Sequence, residues 1–227
     1  MTQLEPRNDG ILAALWDMDG VLVESAQFHY EAWKRTWAGL GMELSEHDFR
    51  KNFGQRNDTI IRDMLGESVA AETINRLGEM KEQYYRAAIK GRVEPLPGAI
   101  ELLSSLRACG FRCAMASAAP RANVELILSE LGAYDFFDAL VTYEDVLRGK
   151  PDPQVYLLAG ERAGVPPDRC VVLEDAVAGV EGAKRAGMAC LGVTSNHPRQ
   201  ALAKADLVVD SLTEVTPETL RSLILRR

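Results

Sequence analysis

The sequence predicts an α/β protein, a doubly wound parallel sheet interrupted after its first strand by a block of helices. Three observations carry this. From Pro95 onward, short apolar runs alternate with amphipathic segments, the pattern of βαβ units whose sheet is covered on both faces. An isolated apolar run at 11–16 ends in an aspartate and a turn-forming glycine, Gly20, as a buried strand that stops abruptly does. Between 24 and 94 no convincing strand pattern occurs, and the apolar residues recur at helical spacing.

The elements follow in order. After the strand at 11–16, the helical block opens with 26–40, which carries Tyr30, Trp33, Trp37 and Leu40 on one face. A segment at 59–65 presents Ile60, Ile61, Met64 and Leu65, and a longer helix is expected at 69–90. Gly91 and the Pro95, Pro97 and Gly98 cluster mark the return to the sheet. Further strands are expected at 112–117, 139–142, 170–175, 189–193 and 206–209, with helices at 98–108, 121–131, 154–163, 177–186 and 198–204. The expected organisation is therefore a Rossmann-like core of 1–23 and 95–227 with an inserted helical cap domain at 24–94. In sheets of this kind ligands bind beyond the carboxyl ends of the strands.

Composition narrows the function classes. The chain has 227 residues, 47% of them hydrophobic and 26% charged, enough for one domain with a smaller insertion. A formal net charge of -7 argues against a nucleic-acid footprint. No apolar stretch approaches the roughly 18 residues that span a bilayer, and 1–10 lacks the apolar centre of a secretory signal. Cys109, Cys113, Cys170 and Cys190 show no zinc-type spacing and read as reduced thiols. A cytoplasmic monomer is expected, with neither a membrane nor a nucleic acid as partner.

The chemistry gathers at the strand ends. Asp17 and Asp19 follow the first strand two residues apart; they repel each other and lose solvation, so a positive partner is required. Mg²⁺ suits hard carboxylate oxygens and also contacts phosphate. One of the two carboxylates is then free to attack phosphorus, as aspartate does in enzymes that pass through an aspartyl-phosphate. The strand at 112–117 ends in Ser117, whose hydroxyl and following N–H groups could hold a phosphate near a helix start. After 139–142 comes Lys150, an ammonium fixed between Gly149 and Pro151, and the strand at 170–175 ends in a second acid pair, Glu174 and Asp175. Together these supply the positioning and charge neutralisation that phosphoryl transfer needs.

The motifs Asp17-Met18-Asp19-Gly20-Val21, Ser117-Ala118, Lys150-Pro151-Asp152-Pro153 and Leu173-Glu174-Asp175-Ala176 occur in the order of the haloacid dehalogenase superfamily. The chain resembles its branch of β-phosphoglucomutase and sugar-phosphate phosphatases, and the helical insertion resembles that family's cap. The resemblance implies that Asp17 is the nucleophile and a Mg²⁺ ligand. It implies that Asp19 is the general acid/base and lends its backbone carbonyl to the metal. Ser117, Ala118 and Lys150 would bind the transferring phosphoryl, and Glu174 and Asp175 would complete the metal site. An aspartate at the place of Asp19 favours phosphate chemistry over dehalogenation.

In the cap, His29, Arg56 and Lys81 resemble substrate-contacting positions of β-phosphoglucomutase, with Arg56 placed to grip a distal phosphate through both arms of its guanidinium. Lys81 lies on the stripe Ile74, Leu77, Lys81, Tyr84 and Ala88, where an apolar residue is expected. Ser117 is followed by Ala118-Ala119-Pro120-Arg121, without the small polar residues the mutase carries there. The expected function is a Mg²⁺-dependent phosphatase of small phosphorylated metabolites, with a β-phosphoglucomutase-like reaction as the alternative. A receiver-type phosphoacceptor domain is the non-enzymatic alternative, although such domains lack a helical insertion after the first strand.

Overall fold

The computed structural model describes residues 10–226; the polar segment at 1–9 and Arg227 lie outside them. Six strands, β1 (Ala13–Trp16), β2 (Arg112–Ala116), β3 (Ala139–Val141), β4 (Cys170–Glu174), β5 (Ala189–Val193) and β6 (Leu207–Val209), form one sheet in the order β3-β2-β1-β4-β5-β6. Every pairing is parallel. Central parallel strands are covered on both faces, which is why β1 and β4 read as unbroken apolar runs. Along β1 the side chains alternate between two apolar layers, Ala14 and Trp16 on one face and Ala13 and Leu15 on the other.

Helices α5 (Ala99–Ala108), α6 (Arg121–Glu130) and α9 (Pro217–Leu225) bury Leu103, Ile127 and Leu220 in the first layer. Helices α7 (Gln154–Ala163) and α8 (Val177–Arg185) bury Tyr156 and Ala183 in the second. The strand order reverses between β1 and β4, and a crevice opens there at the carboxyl ends of the strands. Asp17 sits at this point, its N–H donating to the Leu173 carbonyl at 3.0 Å.

Between β1 and α5 lie α1 (Ala26–Ala38), α2 (Glu46–Asn52), α3 (Asn57–Leu65) and α4 (Ala71–Ile89). They have an apolar cluster of their own, built from Trp33, Trp37, Ile60, Ile61, Ile74 and Leu77. Trp33 and Trp37, one turn apart on α1, stack with centroids 5.2 Å apart. The far end of α4 instead sends Tyr85 and Ile89 into the first layer of the sheet.

Two differences from the sequence reading have simple causes. The expected helix at 198–204 is a series of turns, with Ala201 N–H donating to the Pro198 carbonyl and Leu202 N–H to the Arg199 carbonyl. Leu202 is its sole fully buried side chain, and one anchor does not offset the cost of nucleating so short a helix. Conversely, the periodicity gives no warning of α2 and α9; α9 starts at a Thr216 cap followed by Pro217. Among the described residues no helix is long and apolar enough to cross a membrane.

Candidate active site

The loop after β1 folds tightly, with the N–H groups of Leu22 and Val23 donating back to the Met18 carbonyl at 2.9 and 3.1 Å. Gly20 makes this turn at φ 81°, and a Cβ there would overlap the Asp175 carboxylate and the Asn196 amide. The loop thus sends its two aspartates in different directions. Asp17 turns toward the sheet crevice and Asp19 toward the helical insertion.

In the crevice, Asp17 is buried and its Oδ1 accepts from Lys150 Nζ at 2.6 Å. Lys150 also donates to Glu174 Oε1, which takes the Tyr156 hydroxyl at 2.7 Å as well. Glu174 Oε2 accepts the backbone N–H groups of Asp175 and Ala176, each at 2.9 Å. Asp175 Oδ2 accepts from Asn196 at 2.7 Å, while Asp175 Oδ1 is buried without a partner. Oxygens of Asp17, Glu174 and Asp175 lie within 4.8 Å of one another. Burial, reinforced by the charge of Glu174, pushes Asp17 up to about 7 against the pull of Lys150. Burial also pushes Asp175 well above the usual carboxylate range, with Glu174 and Asp17 adding to it. Lys150 loses solvation, yet Asp17 and Glu174 together hold it above its ordinary value.

This donor set fits a hard divalent cation. It is all oxygen, it holds three acids against one ammonium, and it leaves one carboxylate oxygen without a partner. Asp17, Glu174 and Asp175 could ligate it, with Asp17 and Asp175 the freer of the three because the oxygens of Glu174 already take four donors. Glu174 also fixes Lys150 and the turn at Asp175 and Ala176.

Ser117, 1% exposed, directly follows β2, with its N–H donating to the Val141 carbonyl at 3.0 Å and its Oγ accepting from Ala119 N–H at 3.1 Å. Ser117 and Ala118 line the same cavity as Asp17 and Asp19.

Toward the insertion, Asp19 Oδ1 takes Ser25 Oγ at 2.5 Å, His29 Nε2 at 3.1 Å and the Tyr85 hydroxyl at 3.5 Å. His29 Nδ1 faces Lys81 Nζ at 2.8 Å; an ammonium only donates, so Nδ1 accepts and Nε2 carries the proton given to Asp19. Lys81 also donates to Glu82 Oε1 at 2.8 Å, where Asn57 converges at 2.8 Å. Glu82 Oε2 accepts from Asn123 of α6 at 2.6 Å. Burial opposes the charge on Asp19 and on Glu82, but His29 and Lys81, with their hydrogen bonds, outweigh it and hold both below the usual range.

The structure therefore brings Asp17, Asp19, Ser117, Ala118, Lys150, Glu174, Asp175, His29 and Lys81 around one crevice. Arg56, expected to grip a distal phosphate, makes its contacts outside this cavity. Its guanidinium lies 3.8 Å over the Tyr143 ring and donates to the Tyr143 and Val146 carbonyls and to Asp58. Two unspent backbone carbonyls beside an aromatic face outcompete the cavity for it. Sequence reasoning missed Glu82, Tyr156 and Asn196. Glu82 reads as a solvated helix charge beside Lys81, and the other two carry no local signal.

A narrow cavity of about 50 Å³ lies between the insertion and the sheet, with room for roughly three or four waters. Asp17, Asp19 and Ser117 form its floor, and Trp33, Trp37, Phe49 and Phe53 are among its walls.

A carboxylate pair at this switch point, with a lysine, a second acid pair and a helical insertion above, is the arrangement of one enzyme family. The profile of haloacid dehalogenase-like hydrolases matches residues 11–187, and the chain belongs to this family. It is 35% identical over 202 residues to validoxylamine A 7'-phosphate phosphatase of Streptomyces hygroscopicus subsp. limoneus, covering 89% of this chain and 94% of that protein. It is 32% identical to hexitol phosphatase B of Escherichia coli strain K12, over 92% of this chain and 96% of that one. A crystal structure of β-phosphoglucomutase from Clostridium difficile superposes with a TM-score of 0.85 at 27% identity, over 95% and 98% of the two chains. The protein is thus an enzyme with phosphatases and phosphomutases as relatives, which sets aside the receiver-domain alternative.

Proposed function

We propose that the protein is a Mg²⁺-dependent phosphohydrolase of small phosphorylated metabolites, sugar phosphates foremost, acting through a phosphorylated Asp17. The observation that carries this reading is the placement of Asp17, bonded to Lys150 and grouped with Glu174 and Asp175 on the floor of a cavity roofed by the helical insertion. An oxygen of Asp17 attacks phosphorus as the bond to the leaving oxygen breaks, and Asp19 gives that oxygen a proton. Water then adds to the phosphorus of the acyl phosphate while Asp19 takes its proton, releasing phosphate and restoring the Asp17 carboxylate. Ser117 and the N–H groups after it hold phosphoryl oxygens, and Lys150 offsets their charge. Mg²⁺, held by Asp17 and Asp175 with the Asp19 carbonyl, supplies further neutralisation there when bound.

Asp19 needs different protonation states in the two steps. Ser25, His29 and Tyr85 together favour its anion; substrate that draws Asp19 away from them raises its affinity for the proton it must carry. The helical insertion serves as the cap that admits substrate and excludes water.

Hydrolysis is favoured over mutase chemistry by the cations near the site. A mutase must hold a second phosphate, yet Arg56 is committed to backbone carbonyls and Arg121 to Asp145, while Lys81 is shared between His29 and Glu82. The test is product analysis. Across a panel of phosphorylated sugars and nucleotides, phosphate release that EDTA abolishes is expected. With β-glucose 1-phosphate and a trace of the bisphosphate, glucose 6-phosphate as product overturns the hydrolase reading.

A further inference from the structure

Two buried polar atoms without partners lie in side chains that wall the cavity, the Trp37 indole nitrogen on α1 and the Asn52 amide oxygen at the end of α2. Trp37 is fully buried and Asn52 is 7% exposed. Leaving such groups unmet is costly, and each calls for a partner that meets it in the working protein. One atom is a donor and the other an acceptor, and a hydroxyl is the simple group that answers both. Around them the walls are apolar, with the stacked Trp33 and Trp37 rings, Phe49, Phe53 and Ile60. The nearest cation, Lys81, is already engaged by His29 and Glu82.

We propose that Trp37 and Asn52 form a hydroxyl-reading subsite for the end of the substrate remote from its phosphate. The ligand class is the monophosphate of an uncharged, polyhydroxylated ring. The ring's C–H face packs on the aromatic wall, one hydroxyl oxygen accepts from Trp37 N–H, and one hydroxyl donates to the Asn52 carbonyl. A nucleotide or a bisphosphate fits poorly, since a base offers planar amide edges and a second phosphate finds no unspent cation here. Neither atom is open to solvent as the cavity stands, so the ring enters with the insertion swung outward. This subsite rests on the phosphohydrolase reading and names the substrate class of that same site.

The test compares kcat/KM of the wild type, Trp37→Phe and Asn52→Leu on three kinds of substrate. These are a hexopyranose 6-phosphate, its singly deoxygenated analogues, and 4-nitrophenyl phosphate, which offers no hydroxyl. Ratios between substrates measured on one preparation cancel the fraction of folded enzyme, so partial misfolding of a variant does not obscure the result. Each variant is expected to lose about tenfold more on the sugar phosphate than on 4-nitrophenyl phosphate, and one deoxy analogue per variant is expected to erase that difference. Equal losses on both substrates, or a difference that no deoxy analogue erases, overturn the subsite while the hydrolase reading stands. Failure of the wild type to release phosphate from any of these esters overturns the hydrolase reading, and the subsite with it.

Discussion

Two buried charge networks meet at the loop after β1, and they answer burial in opposite ways. Around Asp17 the acids are pushed up, Asp17 to about 7 and Asp175 well above the usual range. Around Asp19 and Glu82 the acids are held down. Burial opposes the charge in both, so the difference lies in the partners. The crevice sets Asp17, Glu174 and Asp175 against the single ammonium of Lys150, with Tyr156, Asn196 and two backbone N–H groups as uncharged donors. The insertion network sets Asp19 and Glu82 against Lys81 and four uncharged donors, Ser25, Tyr85, Asn57 and Asn123, with His29 between the two halves. One network is short of positive charge, as a cation site would be. The other is satisfied within the protein and suits positioning a proton carrier.

The largest effect expected from this contrast is in Asp17→Asn. Turnover should fall by about 10⁴-fold or more, while thermal unfolding without metal should be unchanged or shifted upward, because one of three crowded acids becomes neutral. A variant that keeps substantial phosphatase activity, or that melts far below the wild type without metal, breaks the comparison.

Next is Glu82→Gln. Lys81 then keeps a buried charge beside His29 with no anion in direct contact, and a loss of about 3 kcal/mol is expected from urea unfolding at pH 7. The pH dependence sharpens it. The folded pKa of Glu82 is depressed below 4.5, so its contribution is fully present above about pH 4.5 and is lost as pH falls through the folded value. The gap between wild type and variant should therefore be flat above that pH and narrow below it. A gap that widens on acidification assigns Glu82 the wrong sign.

The two networks also differ in how much of them the sequence shows. Asp17, Ser117 and Glu174 each lie at the end of a short apolar run, and the parallel register of β1, β2 and β4 delivers them to one edge, where Lys150 arrives from the loop after β3. Strand ends are punctuated by turn residues, so the acids of this network are legible one by one, while Tyr156 and Asn196, which reach them from α7 and the loop after β5, are not. The insertion network is assembled by tertiary contact. Glu82 meets Asn57 and Asn123 across 25 and 41 positions of chain, and no spacing rule links these. Lys81 was visible because it interrupts an apolar stripe, but the same stripe offers no sign of what it meets. Arg56 lies two residues after Gly54, and the carbonyls that hold it belong to a loop near residue 143, which only the fold brings close.

Adding Mg²⁺ tests the charge deficit directly. At about a hundred times its Kd, a cation that binds only the folded state adds about 2.7 kcal/mol of stability. The wild type should show a shift of this size in its urea midpoint, removed by EDTA, and Asp175→Asn should show much less of it. A shift of equal size in the variant would place the ion elsewhere.

The smallest effect compares one hydroxyl in each network. Tyr156 donates to Glu174 Oε1 and Ser25 to Asp19 Oδ1. Hydrogen bonds to charged groups contribute about 1.5–3 kcal/mol, and more is lost where the orphaned acceptor cannot reach water. Glu174 is fully enclosed and its Oε1 keeps one donor, Lys150, whereas the Asp19 side chain is 14% exposed and keeps His29 and Tyr85 as donors. Tyr156→Phe should therefore cost about 2 kcal/mol in metal-free urea unfolding and Ser25→Ala about 1 kcal/mol or less. A larger cost for Ser25→Ala would mean that the insertion network, and not the crevice, is the one left short of donors, and the contrast between them would be reversed.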